Sequence, residues 1–374
     1  MTSFRIQARN FRVLTRLDWS PAGVCLLSGA NGAGKTSVLD ALLFLRVLFE
    51  RGAEAAFQLV GARYFRSVGV PEDEPVEFEV QVNDITWKLR FPMAVSGIKD
   101  SFGEELHRGG EQVLRATMFE QTWSLGNERL PLDEVRCAAK VFWDRGNAEW
   151  MRPFVDAING ISVFKPYRLD YVQRSEAITP RQAYLGRTGA NLWSVLSNWQ
   201  SAHLRSEGRF EWVLTEARKA FQGLIATVEF ESGFPLIFPP GTSDPDSALP
   251  PERAADGLLT GLLHLTAVAG ARRGSILAFD EVENQLHPHA IRLLLAAMRQ
   301  RAEETDLTII LTTHSPVVMN AFRDELDQVF VLYRSIPSNE FPARVTDLHS
   351  EEWLAQAKLG TLYDQLAFGA PPKP

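Results

Sequence analysis

The residues best suited to chemistry lie between Gly29 and Thr36, where GANGAGKT has the spacing G-x-x-x-x-G-K-S/T. Glycines 29, 32 and 34 let the backbone turn tightly and aim its N–H groups inward. Main-chain donors can then wrap a chain of phosphates at a helix N-terminus, where the dipole favours negative charge. The expected binding loop is Gly29, Ala30, Asn31, Gly32, Ala33, Gly34, Lys35, Thr36 and Ser37. In it Lys35 reaches the β and γ phosphates. The Thr36 hydroxyl serves a Mg2+ ion that needs further oxygen ligands from elsewhere in the chain.

Two later stretches can complete that site. Ile276, Leu277, Ala278 and Phe279 are followed directly by Asp280 and Glu281, the pattern of a strand that delivers carboxylates to its C-terminal end. In open parallel sheets that edge is where ligands bind. Asp280 is therefore expected to hold Mg2+ through water, and Glu281 to polarise an attacking water. Leu307 to Leu311 reads as another buried strand, ending in Thr312-Thr313-His314-Ser315-Pro316. His314 there can donate a hydrogen bond to a γ-phosphate oxygen or to the attacking water. Lys35, Glu281 and His314 are the expected catalytic residues, and Thr36 and Asp280 the metal-binding ones.

The elements that must position these groups follow from apolar spacing. Val24 to Leu27 is a short apolar run suited to a buried parallel strand, and Ser37 to Arg51 a helix apolar nearly all round, stopped by Gly52. Phe4 to Trp19 reads as a strand pair lying beside the nucleotide. From Val76 to Phe91 the pattern has period two about Asn83-Asp84, which predicts an antiparallel hairpin. Further short strands are expected through Glu104 to Leu132, with turns at Gly109-Gly110 and Gly126-Asn127. Helices are expected to close at Gly160 and to run over Asn191 to Arg205 and Arg209 to Leu224. Pro235 to Pro251 reads as a loop and Ala254 to Ala269 as an apolar helix. Pro288 opens another helix, Val329 to Leu332 is the last core strand, and two short helices span Glu351 to Phe368. The expected fold class is α/β, a P-loop NTPase with a mostly parallel core sheet, an antiparallel β subdomain and a helical lobe. The expected division is 1–60 and 271–374 for the nucleotide-binding lobe, 61–145 for the antiparallel unit and 146–270 for the helical lobe.

Composition sets bounds on the alternatives. With 374 residues, 45% hydrophobic and 23% charged, the chain can form two or three lobes with substantial cores. No apolar run approaches the length of a membrane span and the start lacks a signal-peptide core, so a cytoplasmic location and no membrane partner are expected. Cys25 and Cys137 are too few for a disulfide framework and read as buried packing residues. A net charge of -7 argues against a surface coated in basic charge, though Arg5, Arg9, Arg12 and Arg16 cluster near the start.

Taken together, GANGAGKT, ILAFDEVENQLHP from Ile276 to Pro288 and LTTHSP from Leu311 to Pro316 resemble the ATP-binding cassette heads of the RecF, SMC and OLD group. More narrowly they are similar to compact bacterial ATPases labelled AAA-family ATP-binding proteins. The opening at Phe4 to Arg12 and TGANLWSVL from Thr188 to Leu196 extend the resemblance over most of the chain. It implies ATP and Mg2+ as ligands and head-to-tail pairing of two heads, each ATP closed by a signature segment of the opposite subunit. The matching stretch is Ala254-Ala255-Asp256-Gly257, so Asp256 and Gly257 are expected phosphate-binding residues. Ala255 stands where relatives carry serine and removes one hydroxyl contact. The resemblance also implies a glutamine that links the lobes, for which Gln121 and Gln173 are alternatives, and an adenine contact at Phe11 or Arg12. Neither the heptads of a coiled-coil arm nor, after His314, a nuclease domain is expected.

The function implied is a Mg-dependent ATP hydrolase acting as a dimerising switch that senses duplex DNA or controls a separate nuclease or toxin in a bacterial defence system. The alternatives are a RecF-like DNA repair ATPase without an effector, a transporter ATPase subunit, whose usual signature is missing here, and a small-molecule kinase, in which Glu281 and His314 would lack a role.

Overall fold

The fold was analysed in a computed structural model. It describes residues 3–364 except 62–63, 72, 93–101, 118–121, 126, 132–135, 147, 178–180, 202–207, 243, 333–341 and 357. In chain order the first part runs β1 (Phe4–Phe11), β2 (Leu14–Trp19), β3 (Val24–Gly29), α1 (Lys35–Arg51) and α2 (Ala53–Val60). A run of strands follows: β4 (Val76–Val82), β5 (Ile85–Phe91), β6 (Gly103–Arg108), β7 (Glu111–Thr117), β8 (Thr122–Leu125) and β9 (Glu128–Pro131). The middle of the chain holds α3 (Ala138–Asp144), α4 (Arg152–Asn159), β10 (Ser162–Phe164), α5 (Leu169–Arg174), α6 (Leu192–Gln200) and α7 (Arg209–Ala220). Next come β11 (Thr227–Glu231), β12 (Phe234–Phe238), α8 (Asp256–Gly270), β13 (Ile276–Phe279), α9 (Pro288–Thr305) and β14 (Thr308–Thr312). The last elements are α10 (Pro316–Asn320), β15 (Val329–Leu332), β16 (Ala343–Arg344), α11 (Val345–Leu348), α12 (Glu351–Gln356) and α13 (Leu359–Asp364).

Two sheets enclose α1. The core sheet has the order β10-β13-β14-β3-β15-β16, parallel throughout except at β16. Its central strands are buried on both faces, which is why they read as continuous apolar runs rather than alternations. The second sheet is antiparallel, ordered β2-β1-β4-β5-β6-β7-β8-β9. In it β4 and β5 alternate strictly, with Val76, Phe78, Val80, Val82, Ile85, Trp87, Leu89 and Phe91 all buried. The Asn83-Asp84 hairpin forms as its residues dictate, with Asn83 at φ 55°.

The order of that sheet corrects one expectation. The β1-β2 hairpin pairs through β1 with β4, Ile6 opposite Val80, and so belongs to the antiparallel sheet rather than standing apart from it. Its turn still reaches the phosphate loop, because a methyl group at Gly34 would lie 2.9 Å from Leu14 and 3.2 Å from Val13. β10 likewise joins the core sheet beside β13 although its neighbours in sequence are helical. Within the expected loop Pro235 to Pro251, β12 pairs with β11 about a turn at Ser232 and Gly233. The prolines at 239 and 240 mask the end of a short strand whose inner residues, Pro235, Ile237 and Phe238, are buried. Gly126 lies outside the described residues.

The layers are joined by aromatic rings on α1 and the sheet above it. Phe44 on α1 packs against Phe11 at 6.2 Å, Phe65 at 5.1 Å, Phe78 at 5.3 Å and Phe91 at 5.7 Å between centroids. All five rings are essentially inaccessible to solvent. A separate cluster made by α6, α7, α8 and part of α9 forms the helical lobe, with Trp193, Trp199, Leu259 and Leu262 at its centre. Replacing Phe44 by alanine is expected to cost about 3–5 kcal/mol, the loss typical of deleting a buried aromatic ring. Denaturant unfolding of Phe44→Ala against the wild-type chain measures it directly.

Candidate functional site

The phosphate loop is built as its glycines require. Gly29, Gly32 and Gly34 have φ of 147°, 76° and 114°, a region of backbone space that side chains rarely enter. Gly29 is also confined sterically, since a methyl group there would come within 2.7 Å of the Leu332 carbonyl oxygen on β15. Ala30, Asn31 and Gly32 are exposed at the crest, whereas Ala33, Gly34, Lys35 and Ser37 are buried. No side chain caps the N-terminus of α1, which leaves the dipole end facing the loop. The Lys35 ammonium folds back into the loop, donating to the Gly29 carbonyl at 2.7 Å and the Ala30 carbonyl at 3.4 Å. Burial lowers its pKa, while Asp280, Glu281 and Glu283 pull it back up.

At the C-terminal ends of β13 and β14 the acidic groups meet this loop. Thr312 is fully buried and its hydroxyl donates to Asp280 Oδ1 at 2.7 Å while accepting the Glu281 amide at 2.9 Å. The second Asp280 oxygen, Oδ2, lies 3.3 Å from the Thr36 hydroxyl. Glu281 has φ 53°, a left-handed conformation uncommon outside glycine. Its carboxylate accepts from Asn284 Nδ2 at 3.0 Å. Glu283 accepts from the Thr313 hydroxyl at 2.7 Å and the His314 amide at 2.8 Å, tying the histidine turn to the carboxylate turn. The His314 ring is half-buried. Its pKa is lowered first by burial and then by Lys35, against the opposing pull of Glu283, Glu281 and Asp280.

Lys35, Thr36, Asp280, Glu281 and His314 are thus brought to one edge of the core sheet. Asp256 and Gly257 do not enter this hydrogen-bond network. Asp256, at the start of α8, accepts instead from Gln173 Nε2 at 3.1 Å. That bond occupies one of the two candidate linking glutamines, and Gln121 lies outside the described residues. Phe11 does not serve an adenine, because its ring is buried among Phe44, Phe65 and Phe78. Arg12 forms an ion pair with Asp40 and donates to the Val60 carbonyl at 2.9 Å.

Several residues of the site escape a reading of the sequence. Lys165 follows β10, and since Phe164 pairs with Phe279, Lys165 stands opposite Asp280. Its ammonium lies 2.8 Å from Asp40 Oδ1. Asp40 is buried four residues beyond Thr36 on α1 and receives both Lys165 and Arg12. A lone carboxylate within an apolar helix was the available signal for Asp40. Lys165 had none, because a three-residue strand is too short to be recognised by period. A buried chain also runs from the Tyr167 hydroxyl to His264 Nδ1 at 3.2 Å and from His264 Nε2 to the Val282 carbonyl at 3.1 Å.

The donors present fit a nucleoside triphosphate with Mg2+. The loop and helix end offer main-chain N–H groups to phosphates. The hydroxyl of Thr36 and the carboxylate of Asp280 are hard oxygen ligands of the few that Mg2+ takes from protein when bound to phosphates. Among the described residues there is no cluster of three His, Cys, Asp or Glu side chains that could hold a metal ion by itself, and none is needed for such a site. Among them, too, no helix is long and apolar enough to cross a membrane.

The strand order, the glycine loop opening α1 and the paired carboxylates at the sheet edge define a P-loop NTPase of the ATP-binding cassette head type. The chain belongs to the family described as "AAA domain, putative AbiEii toxin, Type IV TA system", whose family model matches residues 25–134 and 173–320. Over 97 residues it is 37% identical to the DNA replication and repair protein RecF of Herpetosiphon aurantiacus, a match covering 23% of this chain and 25% of that protein. The fold is similar to the crystal structure of an Smc head bound to the C-winged helix domain of ScpA. That likeness has a TM-score of 0.55 at 15% identity and covers 85% of this chain and 91% of the other.

Burial drives the His264 pKa from 6.5 down to about 4, and the bond to Val282 opposes this only partly. The unfolded imidazole takes up a proton near pH 6.5 and the folded one only near 4, so stability is lost as pH falls through that window. The slope from this one group is at most about 1.4 kcal/mol per pH unit. Denaturant midpoints measured between those pH values are expected to fall with acidity, and less steeply in His264→Gln.

Proposed function

We propose that the protein hydrolyses ATP and that two copies pair head to tail around the nucleotides. The observation that carries this reading is the bond network joining Thr36 to Asp280, Asp280 to Thr312 and Thr312 to Glu281 across three neighbouring elements. It holds a metal-binding carboxylate and a water-polarising carboxylate in fixed relation to the phosphate loop. On ATP binding the Lys35 ammonium exchanges the Gly29 and Ala30 carbonyls for phosphate oxygens. Mg2+, when bound, is held by Thr36 and Asp280 and offsets the charge on the β and γ phosphates. Glu281 orients a water for attack on the γ-phosphorus and takes its proton as the bond from phosphorus to the β–γ bridging oxygen breaks and ADP leaves, with Asn284 fixing the carboxylate rotamer. His314, whose pKa is lowered by burial and by Lys35, donates a hydrogen bond to the γ-phosphate.

Pairing is supported by the position of Asp256 and Gly257 outside the network of their own chain's site, at the N-terminus of the 15-residue helix α8. Presented to the partner's γ-phosphate, that helix end closes the second side of the nucleotide. Ala255 supplies no hydroxyl there, so closure depends on main-chain groups. The family description names a putative toxin and a toxin–antitoxin system, which supports a role in such a system, and the output of this reading is a separate effector, a nuclease or toxin, switched by the paired state. A second reading, duplex DNA as the trigger, is supported by the segment of 37% identity to a DNA replication and repair protein.

Steady-state hydrolysis of ATP with and without duplex DNA at low salt, with oligomer size measured in ATP, tests these readings. Glu281→Gln is expected to lower kcat by about 100-fold or more while retaining ATP and accumulating dimers. Stimulation by DNA that weakens steeply with salt supports the DNA trigger. Hydrolysis indifferent to DNA points to a protein partner. An unchanged rate in Glu281→Gln removes the proposed mechanism.

A further inference from the structure

The turn from Asp280 to Leu286 is held from outside as well as by its own bonds, in which the Asn284 amide donates to the Glu281 carbonyl and the Leu286 amide to the Glu283 carbonyl, both at 3.0 Å. Glu281 and Gln285 both adopt left-handed backbone conformations, with φ of 53° and 64°. Such conformations in non-glycine residues persist where surrounding structure imposes them. On one side β14 supplies the restraint, Thr312 accepting the Glu281 amide through its hydroxyl at 2.9 Å and the Val282 amide through its carbonyl at 3.2 Å. On the other side stands α8. Gly257, Thr260 and His264 are spaced three and then four apart, so they share one helix face, and that face meets the turn.

The two ends of this face make different contacts. At Gly257 the approach is steric, because a methyl group there would lie 2.7 Å from the Gln285 carbonyl oxygen. Only glycine lets the helix come this close. At His264 the contact is a hydrogen bond. A carbonyl can only accept, so Nε2 carries the proton and donates to Val282 at 3.1 Å, and Nδ1 accepts the Tyr167 hydroxyl at 3.2 Å. The ring is further held by Phe279 at 4.9 Å, edge to face, and His264 as a whole is 5% exposed. The Tyr167 ring packs between those of His264 and Phe164, with centroids 5.4 and 6.1 Å away.

We propose that His264, seconded by Tyr167, is a positioning residue for Glu281, and that α8 carries the state of its exposed N-terminus at Asp256–Gly257 to the carboxylate turn. The helix is rigid over the two turns between Gly257 and His264. A displacement at its N-terminus therefore reaches the Val282 carbonyl, one residue from Glu281, without passing through the nucleotide. This gives a paired head a means of aligning its own water-polarising carboxylate with occupancy of the other head's site. The inference rests on Glu281 acting as proposed above, but the bracing of the turn can be measured without hydrolysis.

The test compares wild type, His264→Leu, His264→Gln and Tyr167→Phe in the full chain, with Glu281→Gln beside them. Amide hydrogen exchange without nucleotide is read over residues 280–286, with α1 and β14 as internal references. Leucine fills the space but cannot donate, and is expected to raise exchange in the turn by about tenfold while the references hold. Glutamine restores a donor near the Nε2 position and recovers most of the protection. Tyr167→Phe leaves the imidazole free to turn and shifts exchange the same way by a smaller factor, which keeps the test informative if leucine compromises folding. In hydrolysis His264→Leu lowers kcat by about 10- to 100-fold, with KM and affinity for a fluorescent ATP analogue within twofold. Unchanged exchange in the turn overturns the inference, as does a uniform loss of protection that glutamine fails to rescue. If Glu281→Gln keeps wild-type activity, the hydrolytic reading fails instead, and the exchange result still decides whether α8 braces the turn.

Discussion

The register between β13 and β14 is the constraint on which the site depends. Phe279 pairs with Leu311, so Asp280, the first residue beyond β13, and Thr312, the last of β14, stand side by side at the sheet edge. One buried hydroxyl then fixes both the carboxylate facing Thr36 and the amide of Glu281. A slip of one residue would turn Asp280 away from the loop and place its charge among apolar neighbours, at a cost no local adjustment offsets. The apolar runs Ile276–Phe279 and Thr308–Thr312, buried on both faces, hold that register by packing.

The loop and the carboxylates are joined through α1, which is buried nearly all round between the two sheets. This sandwiching explains the composition of the helix and the position of its one buried carboxylate. Asp40 sits one turn beyond Thr36 and receives Arg12 from the antiparallel sheet and Lys165 from the end of β10. Asp40 is buried, so removing both cations would leave its charge without compensation. The same contact thus fastens three elements around the expected metal corner, and it brings a cation opposite Asp280.

Positive φ occurs at two places in the candidate site, the phosphate loop and the carboxylate turn. The phosphate loop uses glycine, which enters that region freely, whereas Glu281 and Gln285 enter it against their own preference. The difference is chemical. A loop that presents main-chain N–H groups needs no side chains, but the turn that presents a carboxylate must keep one, so its conformation is imposed by Thr312 on one side and α8 on the other.

The sequence by itself determined the phosphate loop, the two carboxylates, the histidine turn and the alternation of β4 and β5, because each is written in consecutive residues and rests on local backbone chemistry. It did not contain the order of the sheets. That β1 and β2 join the antiparallel sheet, and that β10 joins the core beside β13, depends on pairing between segments far apart in the chain, for which hydrophobic period carries no address. Lys165, Tyr167 and His264 were illegible as site residues for the same reason. Each has an ordinary local context, and only the packing of β10, α1 and α8 against the strand ends gives it charged or hydrogen-bonding partners. Gly257 shows both levels at once. Its place in a stretch resembling a signature was readable, but its need to be glycine, a helix pressed against the Gln285 carbonyl, was decided by tertiary structure alone.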